Sequence, residues 1–170
     1  MAHTTLETLL AERDIQQQLI RFARAMDARD WAAMAAILSD DAVADFGLGP
    51  VVGRDEVVAS IRPYLEACGP SQHLLGNFLI EVRGDSAYSE TYVADLHLSK
   101  DPASELSFRT LGNYSDRWVR RDGVWLLCSR HKDNRAAQRL FHFRRFYWQF
   151  FDNTLCQCEA GISKTASLTS

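Results

Sequence analysis

A chain of 170 residues, 46% hydrophobic and 24% charged, has the size and mixture of one ordinary globular domain. That is enough chain to bury a core without disulfide or metal staples. A formal net charge of −3 gives no electrostatic reason for a nucleic-acid partner. The apolar stretch near the N-terminus is interrupted by Glu7 and Glu12, so it reads as neither a signal peptide nor a membrane span. Cys68, Cys128, Cys156 and Cys158 include one C-x-C but no second pair at zinc spacing. Reduced thiols, a cytoplasmic location and no metal site are therefore expected.

In chain order, Leu6, Leu9, Leu10, Ile15, Leu19, Phe22 and Met26 recur at three- and four-residue steps without Gly or Pro. This predicts an amphipathic helix over 4–26, capped by Thr4 or Thr5. A second short helix is predicted from Asp30, its N-cap, to Leu38, then a strand over 42–46 and a turn at Gly47, Gly49 and Pro50. A third helix, over 54–66, carries Val57, Val58, Ile61 and Leu65 on one side. From Gln72 the pattern changes to long strands over 72–83, 86–99, 106–120 and 124–134. Gly84-Asp85 and Asp122-Gly123 stand at the hairpin positions, and Asp101-Pro102 links the middle pair. Helices followed by an antiparallel meander make an α+β domain. A curved sheet wrapped over those helices leaves a hollow cone. Its expected extent is 1–152, followed by a tail over 153–170 with loose last residues. The run 135–151, RAAQRLFHFRRFYWQFF, mixes Arg with aromatics as subunit interfaces do. It reads as a strand or helix that caps the hollow and joins subunits of a dimer or trimer.

Ionisable residues on apolar faces are informative because burying them without partners is costly. Asp27 falls at the edge of the first helix's inward stripe, near Ile20 and Ala23, at the end where the helix dipole disfavours an acid. It is either a solvated residue of the last turn or a functional carboxylate. Strict alternation puts His73 with Leu75, Asn77 and Leu79, opposite Leu74, Phe78, Ile80 and Val82. Alternation likewise puts Arg130 with Val124, Leu126 and Cys128. A guanidinium there either pairs with a carboxylate or meets a ligand oxygen. Asp95 follows Val93, with His97 two residues on, and Tyr114 and Asp116 share a face of the third long strand.

These segments resemble the SnoaL-like family of the nuclear-transport-factor-2-like cone superfamily. The resemblance runs through IRFARAMDARDW, the D-D-A-V strand, G-R-D-E-V and SQHLLGN to YSDRWVRRDGVWLLCSRHKDN, covering about Ile15 to Asn134. The pattern is closest to the scytalone dehydratase, lindane dehydrochlorinase and bile-acid 7α-dehydratase group. The resemblance implies N-terminal helices in the concave face of a strongly curved, mostly antiparallel sheet. It implies a cofactor-independent lyase acting on a hydrophobic small molecule, with Asp27 and His73 as an acid–base dyad and Arg130 as a charge stabiliser. Asp95 falls on an additional acid of the steroid-type dehydratases. Phe22, Trp31, Phe46, Tyr64, Leu75, Val93 and Tyr114 would join Asp95 in lining the pocket. Phe22 departs from the group, which carries Lys or Tyr there; Tyr64, Tyr92, Tyr114 or His131 are the hydroxyl or imidazole replacements open to it. A cyclase or double-bond isomerase could use the same machinery. A non-catalytic binding or assembly module, such as a dioxygenase small subunit, would not need Asp27, His73 and Arg130 to converge.

Overall fold

The structure, a computed structural model, describes residues 5–139. The first helix, α1 (Leu6–Ala28), starts where the Thr5 side chain accepts the Thr8 N–H, and it ends at Arg29 in the left-handed region (φ 59). The Asp30 side chain caps α2 (Trp31–Ala35) by accepting the Ala33 N–H. This helix is shorter than its pattern suggests. The Leu127 N–H bonds the Ile37 carbonyl at 2.8 Å, drawing the chain into β1 (Leu38–Asp45) four residues ahead of the predicted strand. After the glycine turn come β2 (Val51–Val52) and α3 (Arg54–Ala67). The meander follows as β3 (Ser71–Arg83), β4 (Ser86–Leu98), β5 (Ser107–Arg121) and β6 (Val124–Arg139).

One six-stranded sheet has the order β2-β1-β6-β5-β4-β3. It is antiparallel except where β1 runs parallel to β6. Curved and unclosed, it holds α1 against its inner side, and Ile15, Leu19, Phe22 and Met26 of α1 share one core with Trp118, Trp125 and Leu127. This is the expected α+β cone. The strand predicted to stop at Asn134 continues to Arg139, so the first residues of the aromatic, basic run belong to β6. The rest of that run and the tail over 153–170 lie outside the described residues.

Strict alternation fails in the two strands that carry His73 and Arg130, for the same reason. In β3, Gly76 pairs with Tyr92 and Leu79 with Glu90, so β3 carries one extra residue there, and Asn77 adopts φ 52. The bulge turns the strand over. His73 and Leu75 before it therefore share the inner side with Phe78, Ile80 and Val82 after it. In β6, Arg117 pairs with Ser129 but Trp118 with Leu127, leaving Cys128 as the extra residue. Trp125 and Leu127 before the bulge and Arg130 after it are all buried. Arg130 thus lies opposite the face of Val124, Leu126 and Cys128 on which alternation placed it.

The left-handed backbone at Asn77 costs a β-branched residue about 1–2 kcal/mol more than Asn or Gly. Asn77→Val is expected to lower unfolding stability by that amount, and Asn77→Gly to leave it nearly unchanged, in urea titrations.

Candidate active site

The end of α1 is tied to the start of β3 by Arg29. Its guanidinium donates to the Met26 carbonyl at 2.7 Å, the Gly69 carbonyl at 2.9 Å and Ser71 Oγ at 2.7 Å. This clamp brings Asp27 beside His73. Asp27 Oδ1 lies 2.6 Å from His73 Nδ1, and Oδ2 accepts the His73 backbone N–H at 3.0 Å. β3 is an edge strand, so that N–H is available to a side chain. Both carboxylate oxygens are spent on one residue, which orients the ring and makes Nδ1 the protonated nitrogen. The His73 side chain is buried and Asp27 is 23% exposed. Together they line a groove between α1, α2 and β3 with Ala23, Ala28, Leu75 and Phe78.

A second polar group stands next to His73. Asp95 is its direct cross-strand partner on β4. The Asp95 carboxylate accepts the Thr110 N–H at 3.0 Å, the Thr110 hydroxyl at 2.7 Å and Lys132 Nζ at 2.6 Å. His97 Nε2 lies 3.5 Å from Asp95. The His97 ring meets His73 edge-on at 5.3 Å between centroids, and its Nδ1 lies 3.1 Å from Ser71 Oγ. Burial by itself would raise the Asp95 pKa. Hydrogen bonding from His97, the Lys132 charge and the bonds from Lys132 and Thr110 outweigh it and hold the carboxyl well below the usual range. Single donor atoms of His73, Asp95 and His97 lie within 4.8 Å of one another, a set that could hold a divalent cation. The Lys132 ammonium against Asp95 already supplies a positive charge there.

Deeper in, Arg130 Nε and Nη2 grip Asp116 at 2.8 and 2.7 Å, with both side chains buried. The guanidinium lies 4.4 Å from the Phe22 ring centroid and 4.0 Å from that of Tyr114. Phe22, where the resemblance implies a Lys or Tyr, thus packs against a cation. Burial would lower the Arg130 pKa, but the Asp116 carboxylate outweighs it and the guanidinium is held charged. Burial also pushes the Tyr114 phenol far above its usual value, so it stays neutral; the charges of Arg130, Asp95, Asp116 and Asp27 all act on it. Arg130 therefore meets a carboxylate of its own chain, the first of its two expected alternatives, but inside the molecule.

The other expected lining residues divide. Val93, Asp95, Tyr114 and Phe22 are buried in the interior, and Leu75 lines the groove with the Asp27–His73 pair. Phe46 packs against the hydrophobic core. Trp31 donates to Glu66 at 3.2 Å near the surface and is not among the groove's lining residues, and Tyr64 is half-buried on α3. Tyr92 and His131 are exposed, so neither replaces the missing polar group at Phe22. Lys132 and Thr110 went unnoticed in the sequence. The signal for Lys132 was its place two residues beyond Arg130, on the same side of the strand.

The comparisons with known proteins agree with this geometry at the level of fold. The model of the SnoaL-like domain matches residues 7–131. The chain belongs to the SnoaL-like family. No curated protein matches it in sequence. Among solved structures, it is similar to a candidate scytalone dehydratase from Novosphingobium aromaticivorans, at 20% identity over 80% of this chain and 91% of that one, with a TM-score of 0.71. It is similar also to the LinA-type3 hexachlorocyclohexane dehydrochlorinase of Novosphingobium barchaimii, 21% identical over 82% of this chain and 97% of that one, with a TM-score of 0.68. A Mycobacterium tuberculosis protein of unknown function, Rv3472, is 22% identical over 75% of this SnoaL-like chain and 73% of its own, with a TM-score of 0.67. Identities this low carry the fold, and the fold hosts many activities.

Two outcomes follow from the buried charges. Asp116→Asn leaves the Arg130 guanidinium buried without its counter-charge, so unfolding stability should fall by about 3–5 kcal/mol in urea titrations. Asp95 has a depressed pKa in the folded state, so its contribution is present above the ordinary carboxylate value of about 3.9 and is lost as pH falls below it. The urea midpoint should accordingly drop more steeply between about pH 5 and pH 3 in the wild type than in Asp95→Asn.

Proposed function

We propose that this SnoaL-like protein is a cofactor-independent lyase that carries out a dehydratase-type elimination on a hydrophobic small molecule. The observation that carries this reading is the double contact from Asp27 to His73, at 2.6 Å to the ring and 3.0 Å to the backbone N–H. With Nδ1–H held by the carboxylate, Nε2 has a free lone pair and can take a proton from carbon. Asp27 then stabilises the imidazolium that forms, as the carboxylate does in other His–Asp pairs. The adjacent groove walls are largely apolar, with Ala23, Ala28, Leu75 and Phe78, which suits an apolar substrate. Arg130, held between Asp116, Phe22 and Tyr114, acts in this reading as a positioning residue that keeps Tyr114 and Phe22 in place. The solved structures of the same fold include a dehydrochlorinase by name, which supports elimination chemistry as the starting hypothesis.

The test is proton abstraction from a model substrate. The ring opening of 5-nitrobenzisoxazole needs a base and no cofactor. The wild type should accelerate it in metal-free buffer, and His73→Asn should lower the rate by roughly 10²–10⁴-fold. Asp27→Asn should lower it by about 10²-fold, because the ring loses its orientation. An unchanged rate in His73→Asn, with circular dichroism confirming the fold, rejects the dyad as the base.

A further inference from the structure

The Asp27–His73 reading leaves Lys132 without a task. Lysine is seldom buried unless paired, yet this side chain is only 12% exposed. Its Nζ lies 2.6 Å from Asp95 Oδ2 and 3.1 Å from Thr110 Oγ1. Thr110 gives its own hydroxyl proton to Asp95, so its oxygen is free to accept from Lys132. An ammonium has three N–H donors; these two bonds use two of them among the described residues. Gly112 lets the β6 backbone approach closely beside Lys132. A Cβ at that position would stand 2.7 Å from the Asp133 carbonyl oxygen and 3.4 Å from Lys132 Cε. Asp95 is also the cross-strand partner of His73, and its carboxylate comes within 4.8 Å of a ring nitrogen of His73. The His73 ring and the Lys132 ammonium therefore both lie close to one carboxylate.

We propose that Lys132 is a further catalytic residue of the elimination, the acid that meets the departing oxygen, and that the substrate accordingly loses a hydroxyl group. This rests on the reading of Asp27 and His73 as the base. As His73 Nε2 takes the proton from carbon, the C–H electron pair becomes the second bond of the new C=C. The C–O pair leaves with the oxygen, and a Lys132 N–H proton converts it to water. His73 then returns its proton to solvent and Lys132 regains one, so the net reaction is loss of water. Asp95 is a positioning residue, holding Nζ in place throughout. A halide would leave without needing that proton; a hydroxide needs it. That difference sets the substrate class.

The experiment uses a series of benzisoxazoles, whose opening breaks an N–O bond and releases a phenoxide of graded basicity. Rates are measured for the wild type, Lys132→Met, Lys132→Arg and His73→Asn. Lys132→Met should lose roughly 10-fold more on the unsubstituted member than on the 5-nitro member, because only the poorer leaving group needs an acid. Lys132→Arg, still a donor, should recover part of that loss, and His73→Asn should slow all members by a similar factor. Equal losses across the series in a folded Lys132→Met overturn the proposal and leave the base reading standing. Binding of 4-nitrophenol gives a readout independent of turnover. The wild type should bind the yellow phenolate and lower its apparent pKa, and Lys132→Met should not. If no His73-dependent turnover is found, the base reading fails. Dye binding that is absent in the wild type, or the same in both proteins, also overturns the role of Lys132.

Discussion

The extra residues at Asn77 in β3 and Cys128 in β6 decide that His73 and Arg130 face the same interior as their strands' apolar side chains. A strand has a side-chain period of two, so one inserted residue sends everything beyond it to the opposite face. Without the first bulge, His73 and the apolar set Phe78, Ile80 and Val82 could not face the same core. Without the second, Trp125 and Leu127 could not be buried on the same side as Arg130. The candidate site depends on both: the hydrophobic parts of two strands and their polar parts belong to opposite parities of the sequence and one face of the structure.

The interior that results holds several ionisable side chains, and they come in matched sets. Asp27 faces His73, Asp95 faces Lys132, and Asp116 faces Arg130. Buried pairs of this kind rarely add much net stability, because desolvation consumes most of the Coulomb gain, yet losing one partner is expensive. They fix geometry. The Arg130–Asp116 pair, walled by Phe22 and Tyr114, is the most enclosed and holds the far side of the interior in place. The Asp27–His73 pair is the most open, at the groove beside α1. Asp95 and Lys132 lie between these extremes, next to His73. The order runs from a pair closed off inside the core to a pair that borders the groove.

The clamp at the end of α1 shows how a local backbone choice reaches the site. Arg29 takes the left-handed conformation that ends the helix, and from there its guanidinium spans the last turn of α1 and the start of β3. The same few residues stop the helix and dock it. The acid at the unfavourable end of the helix dipole is held by bonds to His73, which offset that penalty.

Much of this was legible in the sequence. The period of α1, the Asp30 cap, the glycine turn and the Asp-Gly hairpin each have a local cause, so the order of the helices and the longer strands and the α+β class followed from the residues alone; the two-residue β2 did not. Asp27 and His73 could be singled out as candidates, through their positions and through family resemblance. Lys132 was legible only as a residue two beyond Arg130, and nothing local marked it as buried. The shortness of α2 and the early start of β1 depend on a bond from the Leu127 N–H to the Ile37 carbonyl, far away in the chain. The facing of His73 and Arg130 depends on bulges, which are set by the register of neighbouring strands and leave no period-two trace in a single strand. Which carboxylate answers which cation was likewise a tertiary matter. Asp116 meets Arg130, and Asp95 meets Lys132, only because β4, β5 and β6 lie side by side. Local periodicity and turn chemistry act within a few residues and were determined by the sequence by itself; facing and pairing act across strands, and only the tertiary structure decided them.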